Sequence, residues 1–241
     1  IDADGVHGIA GRLGSVPSMI PINVHVIDDM GAERTYNFSA AQSRMLTPVL
    51  ALIAVQSSIT RDRQPPIEHT MDYAATLTFD TGRRLTLANR RASVDGGELA
   101  DELFMTLLAI GDNPFSPIKL ASMDVSVTVK RGVEAYSILS ARAEKPRYAP
   151  GDKARLSVEL EAYRGTRRTM TFEVPIPSDT PEGPLTFELG SAFSAVSRRA
   201  AAEPGLFTAR SADEVIDVIE RVTRIRADRL YLTFDRPELG V

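Results

Sequence analysis

Glu144-Lys-Pro-Arg-Tyr-Ala-Pro-Gly-Asp-Lys153, then Ala154 to Tyr163, then Arg164-Gly165-Thr166, then Arg168 to Pro177, is the stretch whose reading decides the fold. Pro150-Gly151-Asp152 is a turn: Pro presets φ, Gly accepts a positive φ, and Asp bonds the backbone just ahead of it. Ala154, Leu156, Val158, Leu160 and Ala162 then alternate with Arg155, Ser157, Glu159 and Glu161. That period of two predicts a strand with one buried and one wet face. Beyond Gly165, Met170, Phe172, Val174 and Ile176 alternate with Thr169, Thr171 and Glu173. The two runs form a hairpin of a half-exposed antiparallel sheet, with Leu156, Val158, Leu160, Phe172 and Val174 expected in its core.

Working outward, residues 117–241 read as mostly β. Met123 to Val129 and Ala135 to Ala143 are strands before the hairpin. Leu185, Phe187 and Leu189 follow the Ser178–Pro184 turn, and 229–235 is a final strand. Ala192 to Arg210 reads as irregular or weakly helical. Ser211 caps an amphipathic helix over 211–226, with Asp213, Glu214 and Asp217 early and Arg221, Arg224 and Arg226 late, as the helix dipole favours. Strands at this spacing, with turns between them, predict an antiparallel β-sandwich.

Residues 1–116 read as a separate α/β part. Met19 to Ile27 and Arg34 to Phe38 are strands joined by Asp28-Asp29-Met30-Gly31, where the two acids serve a turn rather than an acid pair. Ser39-Ala-Ala-Gln42 is a capping box for a helix carrying Met45, Leu46, Val49, Leu50 and Ile53, in which Pro48 kinks the helix or shifts its start. Tyr73 to Phe79 and Leu85 to Leu87 form a second hairpin around Thr81-Gly82. Asp95-Gly-Gly-Glu98 caps a second helix with a Leu99, Leu103, Leu107, Ile110 stripe and Gly111 as its C-terminal cap. The fold class is therefore α+β: an N-terminal part (1–116) of hairpins and two helices, then a β-sandwich (117–241) with a late amphipathic helix.

The totals bound function mainly by exclusion. The chain has 241 residues, 43% hydrophobic and 25% charged, with a net charge of −4. That is an ordinary globular composition, without the basic surplus of a nucleic-acid or anionic-membrane binder. Having no cysteine, it has no disulfide, thiolate metal site or cysteine nucleophile. The apolar run Met45 to Val55 is about half a membrane span and reads as a buried helix. The chain starts at Ile1, and we expect it to be a segment of a longer protein.

No local pattern carries chemistry. Gly5, Gly8, Gly11 and Gly14 lack the Gly-Lys-Ser/Thr of a phosphate cradle. Asp2-Ala3-Asp4-Gly5 begins like a calcium loop, but Val6 and Leu13 occupy positions that need oxygen donors. His7, His25 and His69 have no zinc spacing, and Gly14-Ser15 and Gly190-Ser191 lack the nucleophile-elbow pattern. Glu159, Glu161 and Glu173 alternate on an exposed strand face and would act as an acid cluster only in a cleft. Tyr136, Tyr148 and Tyr163 are the candidate sugar-stacking residues. No catalytic, cofactor-binding or metal-binding residue is assigned.

Five stretches in order carry a resemblance: Gly8-Ile-Ala-Gly-Arg-Leu-Gly14 with Met19-Ile-Pro-Ile-Asn-Val24; Met45-Leu-Thr-Pro-Val-Leu50; Lys145 to Tyr163; Val174-Pro-Ile-Pro177 with Pro181-Glu-Gly-Pro184; and Arg229-Leu-Tyr-Leu232. Together they resemble the region downstream of the peptidase domain in bacterial proteins with a SpoIVB-type serine peptidase domain. The Pro-Gly-Asp hairpin resembles bacterial immunoglobulin-like and macroglobulin-like modules. The family's Gly-Ser-Pro serine and Gly-His histidine have no counterpart, since Val16 follows Ser15 and Val6 precedes His7. The resemblance implies a non-catalytic accessory, scaffold or protein-binding region in an exported or cell-envelope protein. Its partner would be the upstream peptidase domain or an envelope protein. The alternatives are a cell-surface adhesion or polysaccharide-binding module, and a hydrolase whose site assembles only in the fold.

Overall fold

The computed structural model describes Gly14, residues 18–95 and residues 100–235. Asp2–Gly5, His7, the Gly5–Gly11 glycines, Ser15, Glu98 and Leu99 lie outside the described residues. The chain is α+β.

Five strands make the main sheet. β1 (Met19–Ile27) and β2 (Glu33–Ala41) form one hairpin; β3 (His69–Phe79) and β4 (Arg84–Ser93) form another. β5 (Leu120–Arg131) lies between them, parallel to β1 and antiparallel to β3, giving the order β2-β1-β5-β3-β4. Ile20, Ile22, Val24 and Val26 of β1, Tyr73 to Phe79 at alternate positions of β3, and Met123 to Val129 at alternate positions of β5 are buried in one core. The intervening residues, such as Asn23, Asp72, Asp124 and Arg90, face outward, so one sheet face is dry and the other wet.

Three helices cover the dry face. α1 (Leu46–Thr60) packs on β1 and β2, α2 (Ala100–Gly111) lies beside α1, and α4 (Ala212–Thr223) packs on β4 and α2. Ala51, Val55 and Ile59 of α1, Leu103, Leu107 and Ile110 of α2, and Ile216 of α4 join the same core. Arg83, in the β3–β4 turn, donates to the Asp213 carbonyl at 3.1 Å and ion-pairs with Asp217, pinning α4 to the sheet.

This arrangement corrects three expectations. The division after residue 116 falls inside one structural unit, because β5 is hydrogen-bonded on both sides to strands of the earlier segment. The 211–226 helix, ordered as α4, belongs to this unit rather than to the later strands. Ser39 is not a helix cap: β2 continues through Ala41, and α1 starts at Leu46, with Ser43 Oγ accepting from Leu46 N–H at 3.3 Å. Pro48 therefore sits in the first helical turn, where its missing N–H costs nothing.

The decisive hairpin forms a second sheet, β6-β7-β8, from Tyr136–Ala143, Lys153–Ala162 and Arg167–Pro175. Ala154, Leu156, Val158 and Leu160 of β7 are buried, while Phe172 and Val174 of β8 are half-buried and Met170 is exposed. A third sheet pairs β9 (Thr186–Gly190) with β10 (Tyr231–Asp235). The Ala192 to Arg210 stretch holds α3 (Ala192–Ala202) and a 3-10 helix (Pro204–Phe207).

Glu68 links the first two sheets. Its carboxylate accepts from the Tyr163 hydroxyl at 3.2 Å and from Arg164 at 2.6 Å. Gly111 is the last residue of α2 and is not left-handed. A Cβ there would lie 2.9 Å from the Arg44 carbonyl oxygen, so close approach, not a left-handed cap, requires glycine.

Candidate functional site

A groove of about 970 Å³ opens where four separate segments converge. Arg90, Arg91 and Ala92 from β4 form one wall. Ala227 to Leu230, after α4, form another. Glu134 to Tyr136 lie at the entry to β6, and Leu160, Arg168, Met170 and Phe172 come from β7 and β8. The floor is apolar and the rim cationic.

The rim charges divide into two sets. On the wet sheet face, Asp72 binds Arg90 Nε at 2.5 Å and Lys130 Nζ at 2.7 Å, and Arg90 Nη1 reaches Glu134 at 2.8 Å. The hydrogen bond from Arg90, assisted by Lys130, holds the Asp72 carboxyl down to about 2. Arg226 grips Asp228 through both carboxylate oxygens, at 2.9 and 2.6 Å, and keeps that carboxyl below its usual range. The groove's two acids, Glu134 and Asp228, are therefore already matched.

Two arginines are not, and a third is matched only loosely. Arg168 lies 4.2 Å from the Tyr136 ring centroid and forms no ion pair among the described residues. Arg229 likewise has no ion pair among them, and Arg91 reaches Glu102 only at 3.7 Å. A chain of net charge −4 thus presents a locally positive groove.

Asn89 holds the groove's far wall in place. It is buried, its Nδ2 donates to Glu102 at 3.0 Å, and its Oδ1 accepts from the backbone N–H of Arg90 at 2.9 Å and of Ala227 at 2.8 Å. Tyr73 also donates its hydroxyl to Glu102; burial, then this bond, raises the phenol above its ordinary value.

The second unusual surface is the outer side of the α1–α2 layer. α1 contains no charged residue. Met45, Leu46, Val49 and Ile53 of this segment are exposed, Met45 to 79%, beside Met105 and Leu108 of α2. A helix face this apolar is ordinarily covered. A smaller hollow of about 460 Å³ lies at the end of this layer, lined mainly by apolar groups including Pro48, Leu107, Ile110 and Phe115.

The candidates raised by sequence do not converge. His25 Nδ1 bonds Thr35 Oγ1 at 3.1 Å on the wet face, while His69 is buried with its Nδ1 bound to the Pro66 carbonyl at 2.6 Å. Glu161 and Glu173 pair with Arg167 at 2.9 Å and Arg155 at 3.1 Å on the outer side of the second sheet, and Glu159 lies 3.8 Å from Arg167. Asp28 serves the turn, its Oδ1 accepting from Met30 and Ala32 N–H at 2.9 Å each. Asp29 has a different role: its carboxylate is 1% exposed and is clamped by Arg63 at 3.0 Å and Arg131 at 2.7 Å.

The tyrosines do not form one platform. Arg168 covers Tyr136, the Tyr163 hydroxyl is bound to Glu68, and the Tyr148 hydroxyl accepts from Lys145 N–H at 3.1 Å. Among the described residues no cluster of three His, Asp or Glu could hold a metal, and no helix is long and apolar enough to cross a membrane. Sequence reasoning missed Asn89, Arg168 and Arg229; their relation is tertiary, and no spacing signals it. Compared with protein-family models and with curated proteins, the chain matches neither.

Proposed function

We propose that this chain is a non-catalytic, protein-binding accessory region of an exported protein of the SpoIVB-type peptidase class. It docks on the upstream peptidase domain of its parent, or on an envelope protein, through the outer face of α1 and α2. The observation that carries this reading is the exposed row Met45, Leu46, Val49 and Ile53 on a helix without charge. Such a face, polar only toward its end at Gln56 and Ser57, gains most by being covered. The Pro150-Gly151-Asp152 hairpin, with its buried β7, fits an immunoglobulin-like or macroglobulin-like module.

The test titrates this chain against the separately produced upstream portion of the parent, read by calorimetry and by size-exclusion co-elution. Wild type co-elutes. The double variant Val49→Glu, Ile53→Glu, with unchanged circular dichroism, loses binding by roughly a hundredfold, since each buried carboxylate opposes association by more than 1.4 kcal/mol. Undiminished binding by that variant refutes the assignment of this face. Serine-dependent proteolysis by the chain alone refutes the accessory reading.

A further inference from the structure

A second and separate surface carries an inference of its own. We propose that the groove beside β8 receives an acidic polypeptide strand from another protein. That strand joins the second sheet as a fourth strand along the free edge of β8.

The backbone supports this first. β8 is an edge strand in the order β6-β7-β8. Thr166 accepts from Ala162 N–H, and Ile176 both donates to Asp152 and accepts from Gly151. Even-numbered residues therefore direct their peptide groups at β7. By the alternation of an antiparallel ladder, Arg167, Thr169, Thr171 and Glu173 direct theirs away from it. Among the described residues, no hydrogen bond to those outward groups is present. An open edge of this length is a pairing template unless something blunts it, and the only proline, Pro175, stands at its end.

Side chains then select the occupant. An added strand places alternate side chains beside Arg168, Met170 and Phe172. Met170 and Phe172 take apolar groups. Arg168, with Arg229 across the groove, takes carboxylates, because the groove's own acids are bound to Arg90 and Arg226. The preferred sequence alternates acidic or apolar residues on the groove side with small polar residues opposite Thr169 and Thr171. A nucleic acid would use the same arginines but gain nothing from the apolar floor, and the overall negative charge opposes it. Main-chain bonds supply affinity and side-chain pockets supply selectivity, as in other strand-addition sites.

The experiment uses a fluorescein-labelled peptide of repeated Glu-Thr-Val-Thr, which puts Glu and Val on one face and Thr on the other, read by anisotropy and by amide exchange of the whole chain. The expected result is saturable binding with slowed exchange at Thr169 and Thr171. Arg168→Glu weakens binding at least about tenfold, as loss of a charge-assisted contact requires. Thr171→Pro removes an outward N–H without touching the β7 ladder and also weakens it. Val49→Glu, on the α1 face, leaves it unchanged, which separates this site from the helical one. Each variant's fold is checked by thermal melting. Four outcomes overturn the proposal: equal binding of a Lys-for-Glu peptide, full binding of a peptide N-methylated at every residue, preferential binding of single-stranded DNA, or a peptide-free dimer that already protects Thr169 and Thr171.

Discussion

Replacing Asn89 with Ala removes the joint between β4, α2 and the segment leading to β10. Three hydrogen bonds are lost: one to the Glu102 carboxylate and two from backbone N–H groups. The first is worth about 1.5–3 kcal/mol and each neutral bond about 0.5–1.5 kcal/mol. Water replaces the bond to the exposed Ala227 at little cost, which leaves a net loss of about 3 kcal/mol. For a chain of this size that lowers Tm by about 6–12 °C. Thermal melting gives the total, and amide exchange gives the location, since Ala227 N–H should exchange far faster. Asn89→Asp separates the two effects. It keeps an acceptor for Ala227 but turns a carboxylate toward Glu102, so stability falls while the Ala227 amide stays protected. If Asn89→Ala shifts Tm by less than about 2 °C, or leaves the Ala227 amide unchanged, the wall is not held by this residue.

Asp72 sets an acid limit. Its folded-state value of about 2 lies below the ordinary 3.8, so the unfolded chain takes the proton first. The contribution is complete above about pH 5 and disappears as pH falls toward 2, amounting to about 1 kcal/mol after allowance for solvent screening. In Asp72→Asn that part of the stability slope, measured by urea titration between these pH values, should vanish. Gly111→Ala should destabilise by about 1 kcal/mol or more despite the better helix propensity of Ala, because its Cβ meets the Arg44 carbonyl; a raised Tm would show that the approach can relax. Asp29→Asn removes a covered carboxylate but leaves Arg63 and Arg131 half exposed and able to hydrate, so it should cost about 1 kcal/mol in chemical denaturation; a loss of about 3 kcal/mol or more would mean that the pair holds the two arginines out of water.

Local alternation made the hairpins legible. β1, β3 with β4, and β7 each write a period of two between turn residues and bury the apolar side as that period requires, whereas β8 writes the same period but leaves Met170 exposed and Phe172 and Val174 half-buried rather than in a core. What alternation does not encode is a partner. Met123 to Val129 reads as a strand from sequence, yet nothing in it says that Val125 sits beside Val24 rather than beside a later strand. The start of α1 was displaced because Ser39-Ala-Ala-Gln42 satisfies a capping pattern while tertiary pairing with β1 keeps Ser39 extended. Ala192 to Arg210 reads only as irregular or weakly helical because α3, rich in Ala, Ser and Arg, buries none of its residues. The groove was invisible for a stronger reason. Arg91, Tyr136, Arg168 and Arg229 stand far apart in the chain, and only the packing of two sheets brings them together.

The position of β5 also has a consequence in time. β1 ends at Ile27 and its parallel neighbour begins at Leu120. The two early hairpins form from local contacts, but neither can join the other until that distant strand arrives and the long intervening loop is closed. During synthesis from the N-terminus, β1 and β3 therefore wait with bare inner edges until Arg131 has emerged. For that interval the nascent chain offers two hydrophobic strand edges to any neighbour. β5 acts as a clasp: it ends the period in which this protein is most prone to pair with the wrong strand.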